Sequence, residues 1–531
     1  MISFTQISVA PENPSYKWWI GIALAIGSTT VSFAERMVEI AIPQIMLAMS
    51  VSLDKVQWIR TGPAIVRTIL GPMVGWLAGI FGERQLYLAT FVLYIICSGF
   101  AGASWSLPAL IFFLTLKNAG GGLRQPLSMS MMYRAFPAHQ RGLAMGVYQG
   151  SHMVGPLIAP LVGGWLVETF GWRSVFYINI PINLLSLLLI MLVMPRDLDN
   201  AKREWPVSVD FVGLGAMSLG LSTLLWAVNN GTLWGWNSSA ILSLFGIAAV
   251  SFVVLFFTEL NTKTPIFEIR IFTNASFTLS FLARLLNAAI FQSTNFIFGI
   301  FLQRELRFSP LQAGQRLVPM AFTAGVGAVG WGILSDKIQI QLVVAISLLA
   351  SSVSMYLYSG LDVGSTLTYI ILVTVFQSLF RSGAQATMTT MALGTLPVEK
   401  ATLGAGMDTL ARNLGNTAGI PLMTTFVTHQ EMAHLTKLMR IQTLERDGSQ
   451  EALRMMQTAF EQAGQPLDEA KARSQGILRN QLIERATIEA YHDSFRLAAV
   501  AGLFLVPIVL CIRSIYHHER KPRTFGHGGN T

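Results

Sequence analysis

Residues 141–194 read RGLAMGVYQGSHMVGPLIAPLVGGWLVETFGWRSVFYINIPINLLSLLLIMLVM. Two apolar stretches, 142–167 and 174–194, hold no Asp, Glu, Lys or Arg, and the charges Glu168 and Arg173 fall in the short join between them. At ~1.5 Å per helical residue, each stretch reaches across the ~30 Å hydrocarbon core of a bilayer. Backbone in lipid must satisfy its own hydrogen bonds. Runs that are continuously apolar suit helices, whereas barrel strands would alternate. The spacing therefore predicts membrane helices over 141–167 and 174–194.

The same pattern recurs along the chain. Before this pair, helices are predicted near 18–42, 55–79, 86–104 and 108–133. After it they are predicted near 210–229, 239–259, 276–302, 311–334, 341–358, 366–393, 402–429 and 492–514. The chain reads as an all-α integral membrane protein with about fourteen spans. Composition agrees, with 52% hydrophobic residues, 12% charged residues and a mean hydropathy of +0.52. Soluble domains carry roughly 25% charged residues. The net charge of +9 is spread over short loops and not over one soluble face, so it reads as topology and not as a nucleic-acid footprint. Cys97 and Cys511 lie in apolar runs and form no disulfide framework or metal spacing. The first apolar run is long and reaches Pro43, which reads as an uncleaved first helix.

Basic residues in short loops orient the chain. An inside N-terminus places Arg84, Arg134, Arg141, Arg196, Lys202, Arg203, Lys263, Arg270, Lys337, Lys400 and the tail residues Arg520, Lys521 and Arg523 in the cytoplasm. Loops 103–107, 229–238 and 359–365 carry no basic residue, and Arg304 and Arg307 are exceptions on the outer side. The expected organisation is a cytoplasmic N-terminus (1–17), a six-helix bundle (18–194), a linker with two inserted helices (195–275), a second six-helix bundle (276–515) and a cytoplasmic tail (516–531). Within the second bundle, the polar segment 430–490 falls on the periplasmic side. Its apolar residues Leu435, Leu438, Met439, Leu444, Leu453, Met456 and Phe460 recur at helical spacing. Gly448 and Gly464-Gln465-Pro466 are expected to break it into a small hairpin or pair of helices.

The fifth span carries Gly146, Gly150, Gly155-Pro156, Pro160 and Gly163-Gly164, followed by Phe170-Gly171-Trp172-Arg173, Phe176 and Asn179-Ile180-Pro181. This run resembles the antiporter motif of the fourteen-helix drug:proton antiporters of the major facilitator superfamily. The glycines permit close helix contact and the prolines bend the helix. Phe136-Pro137-Ala138-His139-Gln140-Arg141-Gly142, Asp210-Phe211-Val212-Gly213, Trp234-Gly235-Trp236 and Leu410-Ala411-Arg412-Asn413-Leu414-Gly415 are similar to other family stretches. Gly75-Trp76-Leu77-Ala78 with Gly82-Glu83 and Leu86, and the long segment closing on Ala490-Tyr491-His492-Asp493-Ser494-Phe495, resemble the EmrB-like branch of multidrug and amphiphile exporters. The resemblance implies two six-helix bundles plus two inserted helices. It also implies export driven by the proton gradient without another cofactor, from the inner membrane, together with a periplasmic adaptor and an outer-membrane channel. Leu453, Met456 and Phe460 become candidate adaptor contacts.

The chain departs from the family pattern at several places. Ala34 stands at the usual helix 1 acid, Leu114 and Lys117-Asn118 at the usual helix 4 Arg and Gln-Gly, and Gly79 at the usual loop Asp. Other ionisable residues lie in the spans. Glu35, Arg36 and Glu39 are in helix 1, Arg60 and Arg67 in helix 2, Lys117 and Arg124 in helix 4, His152 in helix 5, and Asp408 and Arg412 in helix 13. Charge in a membrane segment is costly and implies a partner or a water-filled path. Helices 1, 2, 4 and 5 belong to one half, so these basic residues are expected to meet the two glutamates. Asp408 and Arg412 are spaced for an i,i+4 pair. The excess of cation suggests an anionic or acidic amphiphile. The plainer reading is that Arg60, Arg124 or Arg134 serves structure, and that His152 is a packed, hydrogen-bonded histidine.

No enzyme motif stands out. Gly120-Gly121-Gly122 lies in an apolar helix without a phosphate-loop Lys, and His517, His518 and His527 are weak metal ligands at most. The alternatives to a proton-coupled exporter are an uncoupled facilitator and a transport-deficient scaffold or sensor.

Overall fold

The computed structural model describes residues 16–194, 210–262, 265–304, 310–362, 364–444, 446–463 and 466–512. Arg196, Lys202, Arg203, Lys263, Arg307, Gly464-Gln465 and the tail with His517, His518, Arg520, Lys521, Arg523 and His527 lie outside the described residues. The architecture is all-helical. The first six long helices are α1 (Tyr16–Met49), α2 (Trp58–Phe81), α3 (Glu83–Gly102), α4 (Leu107–Ala135), α5 (Arg141–Phe170) and α6 (Asn179–Val193). An inserted pair follows, α7 (Phe211–Trp234) and α8 (Ser239–Asn261). Then come α9 (Ala275–Arg304), α10 (Pro310–Lys337), α11 (Ile340–Tyr358), α12 (Leu367–Leu393), α13 (Ala401–Leu444), α14 (Arg446–Gln462) and α15 (Leu467–Leu510).

Among the described residues, ten helices satisfy membrane length and hydropathy by themselves. The long helices α1, α4, α10 and α13 do not, and they complete the fourteen spans; three of them carry the mid-span charges and α10 is rich in glycine. Such helices are tolerated because their polar groups face protein or a cavity, not lipid. Several ends are set by local chemistry. The side chains of Ser106, Asp210, Ser238 and Thr366 accept from backbone N–H groups in the first turns of α4, α7, α8 and α12. Gly82, Gly171 and Gly235 take φ of 78°, 77° and 82° and stop α2, α5 and α7, a conformation that disfavours a side chain.

Helices α1–α6 pack into one bundle, and α9–α13 with α15 into another. The bundles meet where α5 crosses α10 and where α2 crosses α13. The pair α7–α8 leans on α13 and α2. Its contacts include Trp226 against Trp58, centroids 4.9 Å apart, and the Trp236 Nε1–H donating to Thr425 Oγ1 at 2.9 Å.

The glycine run of α5 serves two neighbours. A β-carbon on Gly146 would lie 2.5 Å from the Ala328 carbonyl oxygen, and one on Gly150 2.9 Å from that of Gly325, so this face meets the backbone of α10. Further along, Gly155 abuts Ser32 and Phe33, and Gly163 abuts Met37, so the second face meets α1. Gly164 meets nothing within 4 Å. In the other bundle Gly415 and Gly419 of α13 press on Leu285 and Ala289 of α9, which repeats the α5–α1 contact.

The segment 430–490 differs from the expected small hairpin. Helices α13 and α15 are each 44 residues long and run on past the membrane. At ~1.5 Å per residue each spans ~66 Å, about twice the hydrocarbon core. Gly448 does not break the segment, because α14 begins at Arg446 and carries it in its first turn. The extensions hold each other through Glu431 accepting from Thr487 Oγ1 at 2.8 Å and His434 with Asp493 at 2.8 Å. These polar cross-links gave no apolar run to read, so the predicted ends at 429 and 492 fell short.

Overpacking at a backbone crossing costs ~1–3 kcal/mol. Gly146→Ala should therefore lower the melting temperature of the purified protein in detergent, and Gly164→Ala should leave it unchanged. Equal melting temperatures for the two variants would refute the assignment of the α5 faces.

Candidate functional site: charged residues within the spans

Helix α1 turns Glu35 and Glu39 toward α2, and both find cations. Glu35 forms an ion pair with Arg67. Glu39 pairs with Arg36 at 2.7 Å and with Arg60 at 3.5 Å. The carboxylates keep about a third of their surface open, with side chains 37% and 34% exposed. Lys117 of α4 is buried, and its ammonium sits over the rings of Tyr94 at 4.8 Å and Phe176 at 5.7 Å. Such faces attract a cation through the ring quadrupole. Glu35 is within electrostatic reach of Lys117. The expected meeting of bases and glutamates thus occurs for Arg60 and Arg67, and at longer range for Lys117, and Arg36 joins them through Glu39.

Arg124 is placed elsewhere. It is fully buried and donates to Asn183 Oδ1 at 2.8 Å, Thr30 Oγ1 at 3.1 Å, Thr90 Oγ1 at 3.3 Å and the Thr90 carbonyl at 3.1 Å. Its guanidinium stacks 3.6 Å from the Phe91 ring centroid. All these partners are neutral, and they tie α4 to α1, α3 and α6. Arg124 therefore acts as the knot of the first bundle and does not meet the glutamates. Arg134, at the other end of α4, pairs with Glu83.

His152 contacts Ser28 at 2.5 Å and packs edge-on to Tyr148 at 5.0 Å, which is the packed, hydrogen-bonded reading. Asp408 does not form the expected pair with Arg412. Its partner is Arg284 of α9, at 3.2 Å, with both side chains 2% exposed. Thr389 also donates to Asp408 at 3.3 Å. Packing of α9 on α13 brings Arg284 closer than helical spacing can bring Arg412. The Arg412 Nε is buried without a hydrogen-bond partner.

Sequence reasoning missed Arg284 and Arg381. Both lie inside apolar runs, the same signal that singled out Arg67. With the Asn295 amide turned to satisfy its neighbours, Arg381 Nη2 donates to Asn295 Oδ1 at 3.2 Å. The guanidinium lies 5.5 Å from the Phe291 ring. No described carboxylate pairs with Arg381. Among the described residues at the middle of the second bundle's spans, Arg284, Arg381 and Arg412 stand with the carboxylate Asp408. No cluster of His, Cys, Asp and Glu that could hold a metal ion occurs among the described residues.

Across the ends of the bundles the chain is clamped. Asp336, at the end of α10, accepts from the backbone N–H groups of Gly142 and Leu143 at 2.7 and 2.8 Å, and so caps α5 in the other bundle. Glu83 accepts from Thr402 of α13, and Thr402 meets Ser130 at 2.7 Å. The bundles are thus tightly joined at the end where α5 begins and α10 stops.

Two helical bundles joined by close crossings at one end, with charged residues set inside their spans, have the architecture of a membrane transporter. The chain belongs to the Major Facilitator Superfamily, whose family model matches residues 24–279 and 280–431. It is 27% identical to the multidrug export protein EmrB of Haemophilus influenzae over 425 residues, covering 78% of this chain and 82% of the relative. It is 23% identical to the fatty acid resistance protein FarB of Neisseria gonorrhoeae over 504 residues, 94% and 96% of the two chains. Its fold matches the human organic anion transporter MFSD10 with a TM-score of 0.60 at 11% identity, over 94% of this chain and all of that one. The EmrB-like resemblance read from the motifs therefore holds.

Removing one member of a buried ion pair costs ~3–5 kcal/mol because the other charge is stranded. Asp408→Asn should destabilise the protein by about that amount, and adding Arg284→Gln should recover part of the loss. Thermal unfolding of both variants and of Arg284→Gln alone completes the cycle. Strict additivity of the two single effects would show that the pair carries no coupling.

Proposed function

We propose that this chain exports acidic amphiphiles across a bacterial inner membrane by alternating access, in exchange for protons, with both termini in the cytoplasm. The observation that carries the reading is the excess of cations inside the spans. Arg67, Lys117, Arg381 and Arg412 are buried or half-buried in the spans, while Glu35 answers Arg67 and Asp408 answers Arg284. Low-dielectric surroundings amplify each uncompensated charge, so a negative head group is the favoured guest and a cationic one is opposed. The named role of FarB in fatty acid resistance is in keeping with this guest.

Glu35 and Glu39 are the coupling groups in this reading. Each is about a third exposed and held by arginine, so that protonation would release Arg67, Arg36 or Arg60. Proteoliposomes with an imposed pH gradient provide the test. Glu35→Gln with Glu39→Gln should abolish gradient-driven efflux of dodecanoate while substrate binding persists. Undiminished gradient-driven efflux by that double variant would rule out coupling through these residues.

The projecting helices α13 and α15, with α14, form the docking site for a periplasmic adaptor that leads to an outer-membrane channel. Leu453, Met456 and Phe460 are half-buried on α14, which packs on α15, so they are turned inward. The outward contacts pass to Met432, Met439 and Met455, which are 60%, 45% and 65% exposed. Replacing 437–484 with a Gly/Ser linker should leave dodecanoate binding intact and abolish co-purification of the adaptor. Retention of the adaptor at wild-type yield would refute docking on this segment.

A further inference from the structure

The joined end of the bundles encloses a cavity of about 630 Å³. Its walls include Glu83 and Arg134 of the first bundle, Glu259 and Ile266 from α8 and the linker after it, and Lys400 and Thr402 at the head of α13. A space of this size holds a small organic molecule. Glu35, Arg67, Lys117, Asp408 and Arg412 do not line it, so it stands apart from the mid-span charges. Most of its own charges are answered. Arg134 pairs with Glu83, and Lys400 with Glu268. Arg270 and Glu399 are exposed.

Glu259 is the exception. It is 3% exposed at the end of α8. Its Oε1 accepts from the Phe267 backbone N–H at 3.0 Å, and its Oε2 is buried without a hydrogen-bond partner. A second carboxylate stands beside it. A β-carbon on Gly213 would meet Asp210 Oδ2 and Glu259 Oε1 at once, so the two acids crowd one spot at the root of the inserted pair. Asp210 accepts from the Gly213 N–H at 2.7 Å and Thr262 Oγ1 at 3.3 Å, both neutral. Among the described residues no cation pairs with either acid. A buried carboxylate with an unused oxygen is costly, and an ammonium satisfies it with a charge-assisted bond.

We propose that this cavity is a second ligand site, in which Glu259 seats the primary ammonium of a small amine or of a lipid headgroup, and that the occupied site holds the joined end shut. The proposal goes beyond the export reading and rests on it only for the effect on efflux. An anion would find Arg134 and Lys400 already paired and two carboxylates opposing it, whereas an ammonium brings three donors to those acids. Closure follows from where the walls come from. Glu83 and Arg134 move with one bundle and Thr402 with the other, so opening this end takes the cavity apart. A ligand that binds only the closed arrangement shifts the balance toward it. The inserted pair then has a task, which is to bring a buried acid to the seam between the bundles.

The test uses the full-length protein in a non-ionic detergent, with 2-phenylethylamine as probe and 2-phenylethanol as its neutral counterpart. The amine is expected to raise the melting temperature and to bind at least ten-fold more tightly than the alcohol. Glu259→Gln should weaken amine binding ten-fold or more and bring the two probes level. Gly79→Leu should weaken it as well by filling the cavity, because Gly79 lies on the wall and a β-carbon there meets no atom within 4 Å. A cooperative melting transition in each variant reports that it is folded. Displacement of the amine by phosphatidylethanolamine but not by phosphatidylcholine identifies a lipid headgroup as the source of the ammonium, and no displacement by either identifies a soluble amine. In proteoliposomes the amine should slow dodecanoate efflux by wild type and not by Glu259→Gln. Amine binding that is absent from wild type, or equal in wild type and Glu259→Gln, overturns the site. Binding that leaves efflux unchanged overturns the closure. If wild type moves no dodecanoate, the export reading fails while the binding result still decides the site.

Discussion

The contact of α5 with α10 sets the terms for the rest of the molecule. There the backbones approach so closely that a single methyl group on Gly146 would meet the Ala328 carbonyl. Lipid offers no hydrophobic drive for helices to associate, so packing and polar contacts must do it. Small residues let the bundles touch over a narrow strip instead of a broad interlocked face. A narrow strip of backbone is also a surface on which two rigid bodies can pivot. The repeated geometry at α13 and α9, with Gly415 and Gly419, shows that the same device holds each bundle together internally.

Two kinds of buried charge can be separated by what answers them. Arg124 is desolvated completely, yet four hydrogen bonds to neutral groups and stacking on Phe91 offset that cost without any carboxylate. Stacking of a desolvated guanidinium contributes ~2 kcal/mol, and each hydrogen bond to a charged group ~1.5–3 kcal/mol. Such a residue is saturated and has nothing left for a substrate. Arg412 is a different case, since its buried Nε has no hydrogen-bond partner.

Much of the fold was legible because the bilayer imposes a length and a composition that a sequence displays directly. The glycine run of α5 was legible for a related reason: close approach demands small residues, whatever the neighbour. The site was only partly legible. Glu35 with Arg67 could be foreseen, since α1 and α2 belong to one bundle and their charges had few other places to go. Asp408 misled because spacing along a helix reveals only partners on that helix, and Arg284 arrives from another one. Arg381 escaped notice because a lone arginine in an apolar run names no partner. The projecting helices were underestimated since polar cross-links such as Glu431 with Thr487 stabilise a helix pair without an apolar stripe.

The joined end of the bundles must change in transport. Asp336 caps the N-terminus of α5, where unpaired N–H groups and the helix dipole favour an anion. A cap of this kind contributes ~1–2 kcal/mol, enough to bias a two-state equilibrium and too little to lock it. The Glu83, Thr402 and Arg134 cluster adds a second such clasp between α3, α4 and α13. Opening this end breaks both clasps, so something elsewhere must supply comparable free energy. A ligand is one source, because one that binds one arrangement of the bundles more tightly than the other shifts the balance by that difference. The clasps are thus weak enough for the differential binding of a ligand to tip the balance between the two arrangements.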